Sequence, residues 1–112
     1  RIKPDLCTRG EGIYSTGAAS TSDYLWMNGT SMAAPSATGM GILVGEAYKK
    51  VSGGYDIRHD ILKSALINAA IDKGRVGPDY DVGFGMIDVK GAVDIVNSLE
   101  STSPLLHIDN IS

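Results

Sequence analysis

The sequence predicts an α/β fold, and three observations carry that prediction. A stretch without charge, Tyr24 to Gly45, contains a helix that is apolar on nearly every side. Two later segments have the spacing of helices, and short runs around the first helix have the length and bounding glycines of strands.

Taken in order, Ile2 to Leu6 and Glu11 to Ser15 read as short strands around Gly10, and Gly17 to Asp23 as a small polar loop. Tyr24-Leu25-Trp26-Met27 reads as a buried strand or an extended approach to the next helix. That helix, from Ser31 to Lys50, carries Met32, Ala33, Ala34, Ala37, Met40, Ile42, Leu43, Val44 and Ala47. It has no polar face until Glu46, so protein must surround it. Ser52-Gly53-Gly54 breaks the chain, and Asp56 is placed to cap a second, amphipathic helix ending near Ala70. Asp72 to Asp81 reads as a loop, Val82 to Ile87 as a short extended piece, and Val89 to Leu99 as a third helix capped by Asp88. Residues 1–100 form one domain and 101–112 a tail or linker, in which Leu105 to Ile108 has the composition of a strand start.

The 112 residues suffice for one compact domain, and 43% hydrophobic with 21% charged residues is the balance of a soluble globular protein. A net charge of −3 gives no footprint for nucleic acid. The charge-free stretch is a poor membrane span, because it includes Asn28, Thr30, Ser31, Pro35, Ser36 and four glycines. Cys7 is the single cysteine, which excludes an intrachain disulfide; it reads as a small buried hydrophobe.

Ser31 carries the chemistry. A serine hydroxyl is a weak nucleophile at neutral pH and needs a base for its proton and donors for the developing oxyanion. The start of a helix supplies unpaired N–H groups and a partial positive charge, so the Ser31 N–H is a candidate oxyanion donor. Gly29 removes bulk where a substrate chain approaches, and Thr30 helps fix the turn. Pro35 has no N–H for the Ser31 carbonyl, so the helix is expected to start or bend there, with the serine outside regular helix.

Gly29-Thr30-Ser31-Met32-Ala33-Ala34-Pro35 followed by Gly39 resembles the segment around the catalytic serine of the subtilase family of serine proteases. Lys3-Pro4-Asp5-Leu6 with Gly10 and Ile13-Tyr14-Ser15 resembles the part preceding it, and Gly83-Phe84-Gly85-Met86-Ile87-Asp88 with Ala92 resembles the family's closing segment. The resemblance implies the C-terminal part of a parallel sheet with helices on both faces, and a central buried helix beginning at the catalytic serine. It also implies an endopeptidase that forms an acyl-enzyme on Ser31. Met32 would back the serine, Met27 and Asn28 would lie near the leaving-group side of the cleft, and Gly29 and Thr30 would complete the substrate-binding set. Two positions depart from the family pattern: Thr8-Arg9-Gly10 stands for Ala-Pro-Gly, and Ser36 for a histidine.

Subtilases order their triad as Asp, His and Ser, with the oxyanion asparagine also ahead of the serine. The resemblance therefore implies that all three precede Arg1, and that this chain alone is inactive. Its expected partners are a protein or peptide substrate and the upstream remainder of the catalytic domain, with neither nucleic acid nor membrane. His59 and His107 read as surface histidines rather than local bases. The chemistry requires no cofactor or metal. Structural calcium is compatible with the parent, though Asp79 and Asp81 read better as a solvated loop. The resemblance implies an extracellular or secreted protein whose signal lies upstream. The alternative is a degenerate subtilase domain that binds partners or supports its neighbours without catalysis.

Overall fold

The computed structural model describes residues 2–100. Two strands, β1 (Ile13–Thr16) and β2 (Tyr24–Met27), precede three helices, α1 (Thr30–Val51), α2 (His59–Ala69) and α3 (Val89–Asn97), and a short 3₁₀ turn at Ser98–Glu100. The expected tail, residues 101–112, with His107 and the strand start at Leu105 to Ile108, lies outside the described residues.

The strands pair antiparallel, with Ile13 opposite Met27, Tyr14 opposite Trp26, Ser15 opposite Leu25 and Thr16 opposite Tyr24. Period-two alternation therefore sends Tyr14, Tyr24 and Trp26 to one face, where the Tyr14 ring sits 5.5 Å from Tyr24 and 5.0 Å from Trp26. Tyr24–Met27 is exposed throughout rather than buried, because a two-stranded ribbon leaves much of both faces open. Ile2 to Leu6, expected as a strand, is not one. Pro4 cannot donate to a ladder, and pairing begins only at a single parallel bridge between Cys7 and Met86. There the Cys7 N–H donates to the Gly85 carbonyl at 2.9 Å, and the Ile87 N–H to the Cys7 carbonyl at 2.9 Å. Met86 also bridges Ile71 in the antiparallel sense. Among the described residues these pairings do not make up the expected parallel sheet, for want of further strands.

The core lies where the three helices meet, around Val44, Ala65, Ala92 and Val96. Two of these are alanines, which let α2 and α3 approach closely. Gly45 and Gly41 of α1 face Ile57 and Leu62, where an added Cβ would stand at 3.4 and 3.9 Å, ordinary packing distances. The cap of α3 is as expected, with the Asp88 carboxylate accepting the Gly91 N–H at 3.1 Å. Asp56 does not cap α2. That helix starts at His59, Asp56 takes the Lys49 ammonium at 3.2 Å, and Asp60 supplies the negative charge in the first turn. Arg58 grips Asp60 with two hydrogen bonds, which holds the Asp60 carboxyl below the usual carboxylate range.

The helix expected to be buried all round is not buried by these residues. Val44 is the one fully buried position of α1, whereas Ile42 and Leu43 are 66% and 53% exposed. Ala34, Pro35, Thr38, Gly39 and Ile42 form an open face at helical spacing, because α2 and α3 cover only the other side.

Candidate active site

Ser31 is the second residue of α1 and is exposed. The turn that delivers it is held by main chain. The Gly29 N–H donates to the Gly10 carbonyl at 2.7 Å, and the Gly29 carbonyl accepts from Met32 at 3.1 Å and Ala33 at 3.3 Å. The Ser31 N–H thus lies ahead of the first bonded donors, among those a helix start leaves for an outside acceptor. Gly29 is the N-cap residue with φ 149°, a conformation side chains resist, and no side chain caps the helix there. Thr30 is the first helical residue, so the turn owes its shape to Gly29 and Gly10 rather than to the threonine hydroxyl.

Gly10 answers Gly29 across this contact. A Cβ at Gly10 would stand 2.5 Å from the Gly29 oxygen and 3.2 Å from the Ala33 Cβ. The close approach explains why glycine follows Thr8-Arg9. The Met32 sulfur lies 3.7 Å from where a side chain on Gly29 would begin, so it sits beside the turn. Asn28 is tied backwards, its side-chain carbonyl accepting the Gly12 N–H at 2.6 Å.

Pro35 does not hold Ser31 outside the helix. The helix runs through it from Thr30, because a proline at the sixth helical residue removes a donor without forcing a break so near the open end. The next residues bond back along the helix, Ser36 Oγ donating to the Met32 carbonyl at 3.3 Å and Thr38 Oγ1 to the Ala34 carbonyl at 3.0 Å.

Between this helix start and the hairpin lies a cavity of about 330 Å³, walled by Ser31, Met32 and Met27 together with Ile13, Ser15 and Leu25. Met27, Ser31 and Met32 are therefore brought together, whereas the Asn28 side chain is engaged on the hairpin. Ile13 and Ser15 belong to a stretch that carries the resemblance, but the motif marks neither them nor Leu25 as site residues. Their signal was alternation, since they share a strand face with Met27 once the register is known.

No base comes with the serine from α2. Ile57 and Leu62 flank His59 and pack at the level of Gly45 and Gly41. At 1.5 Å per residue, those glycines lie roughly 15–20 Å along α1 from Ser31. Asp79 is not the solvated residue expected: it is 9% exposed, and its Oδ1 accepts the N–H groups of Val82 at 2.8 Å and Asp81 at 2.9 Å. The Val82 bond, above all, holds its carboxyl below the usual range. Among the described residues no group of three or more His, Cys, Asp or Glu could hold a metal. Cys7 is half-buried, and burial pushes its thiol up, away from a reactive thiolate.

The model of the family described as "Subtilase family" matches residues 1–85. Among curated proteins, the C5a peptidase of Streptococcus pyogenes is 30% identical over 122 residues, covering 99% of this chain and 10% of that protein. The PII-type proteinase of Lactococcus lactis subsp. cremoris is 30% identical over 118 residues, covering 90% of this chain and 6% of its own length. A protein of Dictyostelium discoideum called serine protease/ABC transporter B family protein tagA is 28% identical, with 96% of this chain and 8% of that protein covered. The chain thus spans a tenth or less of the length of these relatives.

Proposed function

The chain belongs to the subtilase family, and from that premise we propose that it is the nucleophile-bearing, C-terminal part of a serine endopeptidase domain. The observation that carries the reading is Ser31 at the open head of α1, its N–H ahead of the first bonded donors and its side a wall of the cavity.

In this reading the Ser31 hydroxyl attacks a peptide carbonyl and passes its proton to a base. The Ser31 N–H stabilises the oxyanion that forms. Collapse breaks the C–N bond, the base returns the proton to the departing amine, and water then cleaves the acyl ester to restore the hydroxyl. The aspartate, histidine and oxyanion asparagine come from upstream, and so do the strands that turn the Cys7–Met86 bridge into a parallel sheet with helices on both faces. The open face of α1 supports this completion, since an apolar helix face gains from burial. Met27, Asn28, Gly29, Thr30 and Met32 line the substrate path. In this reading the protein works outside the cell; among the described residues no helix is long and apolar enough to cross a membrane.

A fluorophosphonate probe tests the reading. The chain joined to its upstream region labels at Ser31, the Ser31→Ala variant does not, and the chain alone does not. Failure of the joined protein to label would favour a degenerate domain, and labelling of the chain alone would require a local base.

A further inference from the structure

We propose that Arg9 is a positioning residue for Ser31. Its guanidinium orients the peptide unit between Glu11 and Gly12, and through that unit Asn28 and the turn that delivers the serine. This inference rests on the serine-protease reading of Ser31.

Among the described residues Arg9 takes part in no ion pair. Its donors go to main chain instead. Nε donates to the Glu11 carbonyl at 2.8 Å and Nη2 to the Gly12 carbonyl at 3.4 Å, so the guanidinium folds back over the three residues that follow it. Gly12 makes room, since a side chain there would begin 3.1 Å from Nη2. A planar fork can serve two neighbouring carbonyls, which the compact ammonium of a lysine cannot span. The arginine also stands where the sequence departs from the family pattern, so the device belongs to this chain rather than to the serine motif.

The peptide unit that Arg9 grips is the one Asn28 uses. Its carbonyl belongs to Glu11 and its N–H to Gly12, and that N–H donates to the Asn28 side-chain carbonyl at 2.6 Å. The unit is trans and planar, so its C=O and N–H point in opposite directions, and fixing one end aims the other. A cationic donor on the carbonyl also polarises the amide, which strengthens the bond its N–H makes. Asn28 stands three residues before Ser31, and next to it the Gly29 N–H donates to the Gly10 carbonyl at 2.7 Å. Residues 9–12 are therefore one cradle for Asn28 and Gly29, and Arg9 is the side chain that closes it.

The test uses the chain joined to its upstream region. Arg9→Met keeps an apolar stem and loses the donors: kcat on a peptide substrate falls about fivefold at unchanged KM, and fluorophosphonate labelling of Ser31 slows in parallel. The loss stays below the roughly hundredfold of a full ångström of displacement because the Gly10–Gly29 bond remains. Arg9→Lys keeps one cationic donor and returns kcat to within about twofold of the original. The Gly12 amide exchanges faster with deuterium in Arg9→Met. In an Asn28→Ala background Arg9→Met has little further effect on labelling, because residues on one relay do not act additively. A rise in KM at unchanged kcat would make Arg9 a substrate contact, and losses that multiply in the double variant would make it independent of Asn28. Either result overturns this inference alone. An unsubstituted joined protein that never labels would overturn the serine-protease reading and this one with it.

Discussion

The side-chain carbonyl of Asn28 accepts the Gly12 N–H at 2.6 Å, fastening the residue three places before Ser31 to the start of the hairpin. The same stretch is fastened a second time, through the Gly29 N–H and the Gly10 carbonyl. Two independent ties thus set the angle at which β2 enters α1.

Asn28→Ala removes one tie and leaves the other. The loss is about 1 kcal/mol of stability, as for a typical intramolecular hydrogen bond. Gly12 is the place to look: its amide exchanges faster with deuterium in the alanine variant, and Asn28→Asp, which keeps an acceptor, restores protection.

Gly10→Ala acts on the second tie by collision. The new methyl would stand 2.5 Å from the Gly29 oxygen, so the Ser31 turn has to move. Displacement by about an ångström at a catalytic centre costs roughly a hundredfold in rate. The rate of fluorophosphonate labelling of Ser31 in the joined protein falls by about that factor.

Asp79 gives a pH signature. Its carboxyl is held low in the folded state, first by the Val82 N–H, so its contribution is complete above the ordinary carboxylate pKa of about 3.9. That contribution is lost as pH falls through the lower folded value. Asp79→Ala therefore lowers the denaturant midpoint at pH 7, and the gap between variant and original closes towards pH 2. A gap independent of pH would mean that packing, not charge, is what the residue supplies.

The open face of α1 governs behaviour in isolation. With Ile42 66% and Leu43 53% exposed beside Ala34, Pro35 and Gly39, the chain alone self-associates, and its mass by light scattering rises with concentration. Ile42→Glu with Leu43→Glu reduces the association. In the joined protein the same pair is destabilising, because there the face is covered.

Much of this was legible in the residues. The charge-free run and the break at Ser52-Gly53-Gly54 announced α1 within a residue at each end, and Asp88 announced the cap of α3, because these signals are local. Asp56 misled because a cap is decided by which residue the chain brings to the first turn, and Ser52, accepting from the Tyr55 N–H, tightens the preceding turn and delays the helix to His59. The motif located Ser31 and its neighbours, but the cavity beside them depends on pairing between Ile13–Thr16 and Tyr24–Met27. The contact of Gly10 with Gly29 joins residues far apart in sequence, and no spacing rule reaches it. The exposure of α1 follows from composition too: an apolar helix needs protein around it, and these residues supply cover on one side only.

The single bridge at Cys7 gives the chain an unexpected dependency. Gly10, on which the Ser31 turn leans, follows a segment whose own bonds run to Phe84, Gly85 and Ile87. A polypeptide truncated before Phe84 would keep every residue of the serine motif and the hairpin, yet the strut beneath them would be gone.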